Sequence, residues 1–288
     1  MLIRLVIITL IFAVAAGIHA ADAEAFKLNA RYRTPDPAKE GDYKVAEKAL
    51  DWNAKKTAVI VIDMWNTHWC KSASRRTGEL APRINQFVVE ARKRGATIIH
   101  APSDTMKTYA DHPARKRAME APVSKNLPPE ITKWCRSIPS EEKGKYPIDQ
   151  TDGGCDCEPT CKSSIVWTNQ IDDIKILDTD YISDKGAEVW SVMEQLGLEN
   201  AIIFGVHTNM CVLGRPFGLR NLSRYGKNVV LVRDLTDTMY NPKAWPHVNH
   251  FKGTDLIVEH TEKFVAPTIT SDQVLGGKPF RFKDAPEQ

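Results

Sequence analysis

The chain reads as an α/β protein, a three-layer α/β/α sandwich around a mostly parallel sheet of six strands. Three observations predict it. Residues 57–62 and 200–206 are apolar runs of buried-strand length. Between such runs lie stretches with apolar residues at helical spacing, such as Leu80, Ile84, Phe87, Val88 and Ala91, closed by Gly95. Strand and helix patterns then alternate along the chain, the order that parallel sheets with crossover helices require.

Residues 1–21 have a charged start at Arg4, an apolar segment and small residues at the end, which predicts a signal peptide. The unbroken apolar run is shorter than the ~20 residues that span a bilayer, so no stable membrane anchor is expected after its removal. The mature chain is then expected to be secreted or periplasmic. Cleavage fits after Ala20 or at Ala21-Asp22-Ala23, and loss of Arg4 takes the net charge from +3 to +2. So balanced a charge gives no electrostatic case for nucleic acid and favours a small-molecule substrate. Self-association is left open.

Residues 22–56 are polar and lack a sustained period, so they read as an extended N-terminal arm. The first strand, 57–62, ends at Asp63. An irregular stretch, 66–77, carries His68, Trp69 and Cys70, aromatic and polar groups placed to wall a pocket. The crossover helix follows, then a second strand at 96–101, stopped by Pro102. Asp104 and His112 lie on the loop leaving it. Residues 113–170, with Pro128-Pro129 and the Gly153–Cys161 region, read as an insertion over the site. A third strand is expected at 174–177. The next helix carries Val189, Trp190, Val192, Met193 and Leu196 on one face, with Gly197 as its stop. The fourth strand, 200–206, feeds Cys211. Gly214 and Pro216 predict a distorted or late start for the helix at 219–225. Strands are expected at 228–232 and 256–258, and the aromatic, histidine-rich segment between them reads as a packed loop. The α/β domain is thus bounded at 57–275, and residues 276–288 are expected to form a mobile tail.

The most informative stretch is Gly205-Val206-His207-Thr208-Asn209-Met210-Cys211, which puts a cysteine where a strand turns into a helix. Unpaired N–H groups at a helix start favour a thiolate and stabilise an anion beside it. A lone cysteine is ordinarily a small buried apolar residue. Here Asp63 ends a second strand, and ligands of open α/β sheets bind at the carboxyl ends of strands, so both side chains are placed to face one crevice.

Together the two stretches resemble the isochorismatase-like cysteine hydrolases, the superfamily of nicotinamidases and related amidases, over residues 57–271. The resemblance implies Cys211 as nucleophile, Asp63 as general acid/base and the backbone N–H groups of His207 and Cys211 as oxyanion donors, with a cis peptide at Val206–His207. Members that cleave isochorismate's vinyl ether lack this cysteine, so an amidase or related C–N hydrolase, working through a thioester, is preferred. No cofactor is required. A divalent metal is allowed for at Asp104 and His112, which match two ligands of metal-binding members, although Met106 occupies the place of a third. The family's lysine, expected at the end of the third strand, falls on Asp178. Lys175 and Lys185 each need a register shift. Two outcomes follow: another cation, such as His207, His68 or a lysine of the arm or insertion, supplies the charge, or the chain is a secreted, non-catalytic binding or structural protein of the same fold.

Cys211 is expected to be the most readily alkylated thiol and to titrate below the free value of ~8.5. Cys135, Cys155, Cys157 and Cys161 could form disulfides or hold a metal through thiolates. An oxidising compartment favours at least one disulfide within the insertion.

Overall fold

The computed structural model describes residues 25–286. The expected signal peptide lies outside the described residues. Eight strands form one sheet in the order β2-β1-β8-β7-β6-β3-β4-β5. Six of them, β3 (Thr57–Ile62), β4 (Thr97–Ala101), β5 (Tyr181–Ile182), β6 (Asn200–Val206), β7 (Asn228–Asp237) and β8 (Thr268–Ile269), are mutually parallel. β1 extends the sheet antiparallel to these, and β2, antiparallel to β1, forms the edge.

The sheet therefore has eight strands rather than six, because the expected arm is a hairpin. β1 (Ala25–Pro35) pairs antiparallel with β2 (Tyr43–Asn53) along its whole length, and Arg31 bridges to Thr268 of β8. Phe26, Leu28 and Ala30 alternate inward along β1, a short period-2 signal that the polar residues around it mask.

Two expected strands lie elsewhere. Residues 256–258 fall inside helix α5 (His250–Phe264), whose start is capped by the Asn249 side chain accepting from Lys252 N–H. Leu256, Ile257 and Val258 are an apolar run too short to tell from a helix face. The sixth parallel strand is β8 instead. Residues 174–177 are irregular, following a turn in which Ile174 N–H donates to Ile171 C=O, and the third strand comes later, at β5. Helix α1 (Lys71–Lys93) also begins inside the stretch expected to be irregular.

The remaining helices are α2 (Pro113–Glu120), α3 (Gly186–Gln195), α4 (Leu219–Arg224) and α6 (Asp272–Leu275). No helix among the described residues is long and apolar enough to cross a membrane.

Every residue of β3 is buried, and its side chains divide between two cores. Ala58, Ile60 and Ile62 join the layer holding α3, α4 and α5, while Val59 and Val61 join Leu80, Ile84 and Phe87 of α1. That division is the three-layer sandwich.

The expected mobile tail is docked. Phe280 N–H donates to Asp234 Oδ2 at 2.8 Å, Lys283 N–H to Glu79 Oε2 at 3.0 Å, and Phe280 and Phe282 pack on the α1-side core. The burial of two aromatic rings offsets the freedom that Gly276-Gly277 would give.

Gly205 fixes the approach of β6 to the end of β3. Its φ is 121°, and a Cβ there would sit 2.0 Å from Ile62 C=O. Any side chain at this position would push the cysteine-bearing turn away from Asp63.

Candidate active site

Asp63 leaves β3 in the left-handed region, at φ 49°, which turns its side chain out of the sheet at the strand's carboxyl end. The carboxylate is fully buried. Its Oδ1 accepts the Ser103 N–H at 2.7 Å, and its Oδ2 accepts Arg215 Nε at 3.0 Å. On the neighbouring strand the Val206–His207 peptide is cis, as the resemblance implies. The chain then enters a π-helical turn, Thr208–Val212, that carries Cys211. Thr208 Oγ1 donates to Asp237 C=O at 2.9 Å. Asn209 exchanges two hydrogen bonds with the Met239 backbone, at 2.9 and 3.0 Å. These bonds tie the turn to the end of β7.

The Cys211 thiol faces both Asp63 and Arg215. It is only 7% exposed, so burial, followed by the Asp63 charge, pushes its pKa well above the ordinary thiol value, and Arg215 offsets part of this. The expected low titration is therefore overturned, because the thiol is desolvated beside a carboxylate. Burial also raises the Asp63 pKa, against the opposing charge of Arg215.

Arg215 is the cation that the sequence reading did not find. Its N–H donates to Cys211 C=O at 2.9 Å, one helical turn on, and its side chain folds back to Asp63 beside the Cys211 thiol. Asp104 lies 3.5 Å from its Nη2, and the Trp134 ring of the insertion stacks over the guanidinium at 5.3 Å. A Cβ on Gly214 would meet that ring at 2.6 Å, so the glycine makes room for Trp134. The signal available in sequence was the four-residue spacing from Cys211, which puts two side chains on one helix face.

The cations considered from sequence stand apart. His68 is brought down to about 4 by burial, and His207 is well below its usual range through burial and the nearby His68, so both are neutral at pH 7. Asp178 is exposed, Lys175 donates to Asp172 C=O, and Lys185 pairs with Asp184.

The aromatic residues after Asp63 do build a wall. Trp65 stacks on Trp167 at 4.2 Å, His68 lies parallel to Trp167 at 5.6 Å, and His207 meets His68 edge-on at 4.9 Å. His207 Nε2 and Ser103 Oγ are buried there without a hydrogen-bond partner.

The two residues expected to hold a divalent metal each have another partner. Asp104 faces Arg215, and His112 caps α2 by accepting the Ala114 N–H at Nδ1. A guanidinium beside Asp104 opposes a cation there.

Two cavities, of about 600 and 660 Å³, open away from Cys211. The first is lined by Arg31, Arg233, Phe251 and Phe280, the second by Trp134, Tyr146, Asn209 and His260. Neither reaches Cys211 itself, but the second borders the site through Trp134 and Asn209.

No known family profile matches the chain, and no curated protein does. Among solved structures it is similar to a cysteine hydrolase from Pseudomonas syringae pv. phaseolicola 1448A, at 15% identity over 78% of this chain and 92% of that one, with a TM-score of 0.48. An isochorismatase from Pseudomonas putida KT2440 gives 13% identity over 77% and 91%, with a TM-score of 0.46. N-carbamoylsarcosine amidase from Thermoplasma acidophilum gives 15% over 75% and 97%, with a TM-score of 0.39.

Proposed function

We propose that this protein is an isochorismatase-like cysteine hydrolase that cleaves a small amide or related C–N bond through a thioester on Cys211. The observation that carries the reading is the Asp63 carboxylate, buried at a strand end, facing the Cys211 thiol while it holds Arg215 at 3.0 Å.

In this scheme the thiol is neutral at rest, and its proton passes to Asp63 as the sulfur attacks the substrate carbonyl. A carboxyl raised by burial is a stronger base than a solvated one, which narrows its mismatch with a thiol. Arg215 cannot give up its proton, so it stays charged and stabilises the thiolate as it forms. The N–H groups of His207 and Cys211 hold the oxyanion. Asp63 then protonates the leaving amine and, with the proton gone, draws one from the water that cleaves the thioester. The partnerless His207 Nε2 and Ser103 Oγ are available to polar groups of the substrate, which enters from the cavity bordered by Trp134 and Asn209. The reaction calls on no cofactor. The N-terminal apolar run supports placing the mature enzyme outside the cytoplasm.

The test is ammonia or amine release from a broad panel of small amides by the wild-type chain and by Cys211→Ala. Turnover of at least one amide, reduced to background in the variant, is expected. A chain inert across the panel, or turnover surviving in Cys211→Ala, would leave the non-catalytic reading in its place.

A further inference from the structure

The insertion's cysteines regroup in the folded chain. Cys135 stands apart, its thiol donating to Ser137 C=O, and Cys70, at the start of α1, takes its place beside Cys155, Cys157 and Cys161. We propose that Cys70, Cys155, Cys157 and Cys161 form a tetrathiolate site for one structural zinc ion.

The sulfurs of Cys70, Cys155 and Cys157 all lie within 4.8 Å of one another, with Cys70 and Cys157 3.8 Å apart. The Cys161 thiol interacts with those of Cys155 and Cys157 but lies outside this 4.8 Å set, so it would close in as the fourth ligand when the ion binds. A tetrahedral ion with zinc–sulfur bonds of ~2.3 Å places its sulfurs about 3.8 Å apart. A disulfide needs ~2.05 Å, and all six cysteines are free. Sulfurs this close enclose a single ion rather than an iron–sulfur cluster, and four thiolates in a tetrahedron suit zinc.

The surroundings favour thiolates. Ser72 N–H and Oγ lie 3.3 and 3.2 Å from Cys157 Sγ, and Lys71 N–H lies against Cys161. These are first-turn amides of the 23-residue α1, which have no partner within the helix and carry its partial positive charge. Four thiolates side by side repel one another unless a cation stands among them. Asp156, between two of the cysteines and 3.7 Å from Cys70 Sγ, is held by two hydrogen bonds from the buried Arg76, which orients the segment.

The ion would join the insertion to the loop carrying His68 and Trp69, and so hold the aromatic wall of the site. The inference rests on the cysteine geometry and not on the hydrolase reading.

The experiment measures metal in the purified full-length chain by mass spectrometry and follows cobalt(II) substitution optically. One zinc per chain, tetrahedral d–d bands with sulfur-to-cobalt charge transfer, and retention of both in Cys135→Ser are expected. Cys155→Ser and Cys161→Ser should bind at least tenfold more weakly. In the wild-type chain, these four thiols should resist alkylation until a chelator removes the ion, a readout that does not depend on how the variants fold. Disulfides among the four in a non-reducing peptide map, or wild-type protein that carries no zinc and gives no cobalt spectrum, would overturn the proposal.

Discussion

Arg215 decides how the Asp63–Cys211 pair works. It sits where a long side chain leaving the cysteine's own helical turn can reach back to a carboxylate on the neighbouring strand, so the positive charge comes from the helix side rather than from the third strand. Removing it leaves Asp63 buried and unpaired, which costs roughly 3–5 kcal/mol for a buried pair. Arg215→Ala should therefore lower stability by that order and reduce kcat/KM about 10²- to 10³-fold. Its alkaline activity limb should also move upward, because the charge that favours the thiolate is gone. Arg215→Lys should restore part of the rate and bring that limb back toward the wild-type position. Full activity in Arg215→Ala, or an unchanged pH profile, would show that the guanidinium only fills space. Asp63 and Cys211 were legible in sequence because each lies at or just beyond a strand end, and the cis Val206–His207 peptide because the resemblance implies it. Arg215 was not, because only its four-residue spacing from Cys211 marks it, while the resemblance implies a lysine at the end of the third strand.

Among the elements, the insertion departs furthest from what its composition suggests. Its 3₁₀ turn, Pro139–Lys143, sends Glu141 into the core, where both carboxylate oxygens meet Arg220 of α4 at 2.7 Å and one meets His260 of α5 at 2.8 Å. Burial alone would raise the Glu141 pKa, yet these partners bring it down to about 2. The folded value lies below the unfolded one, so this contribution is complete above about pH 4.5 and is lost as the pH falls toward 2. Glu141→Gln should cost about 3–5 kcal/mol in urea unfolding at pH 7, since it leaves Arg220 buried without its partner. A change below 1 kcal/mol would mean that the insertion is not held there. Such a network is invisible in sequence because Glu141, Arg220 and His260 come from three distant segments. The hairpin and α5 were missed for a different reason, since a few alternating or β-branched residues do not fix a period.

At the scale of the whole molecule, the parallel sheet and its helical layers were legible because buried strands and crossover helices write long apolar patterns. Edge additions such as β1, β2 and the docked tail rest on a few side chains each. The folded molecule also carries an acid sensitivity. His68 is held neutral by burial, with its pKa near 4, so the unfolded chain takes up that proton first. Stability should be full above about pH 6.5 and fall as the pH drops toward 4, by roughly 3 kcal/mol at most from this residue. Asp63, whose pKa is raised, acts in the opposite direction. His68→Gln should therefore flatten the fall in Tm between pH 6.5 and 4, and an unchanged slope would assign it to other groups.

The central claim is that Cys211 forms a covalent bond to the substrate's acyl group. Its most direct test is acid quenching of the wild-type chain during turnover of an amide from the panel, followed by peptide mass spectrometry. An acyl mass is expected on the peptide bearing Cys211, absent in Cys211→Ala and reduced in Arg215→Ala. Turnover that proceeds with Cys211 unmodified at every quench time, or an acyl group found on another residue, would contradict it.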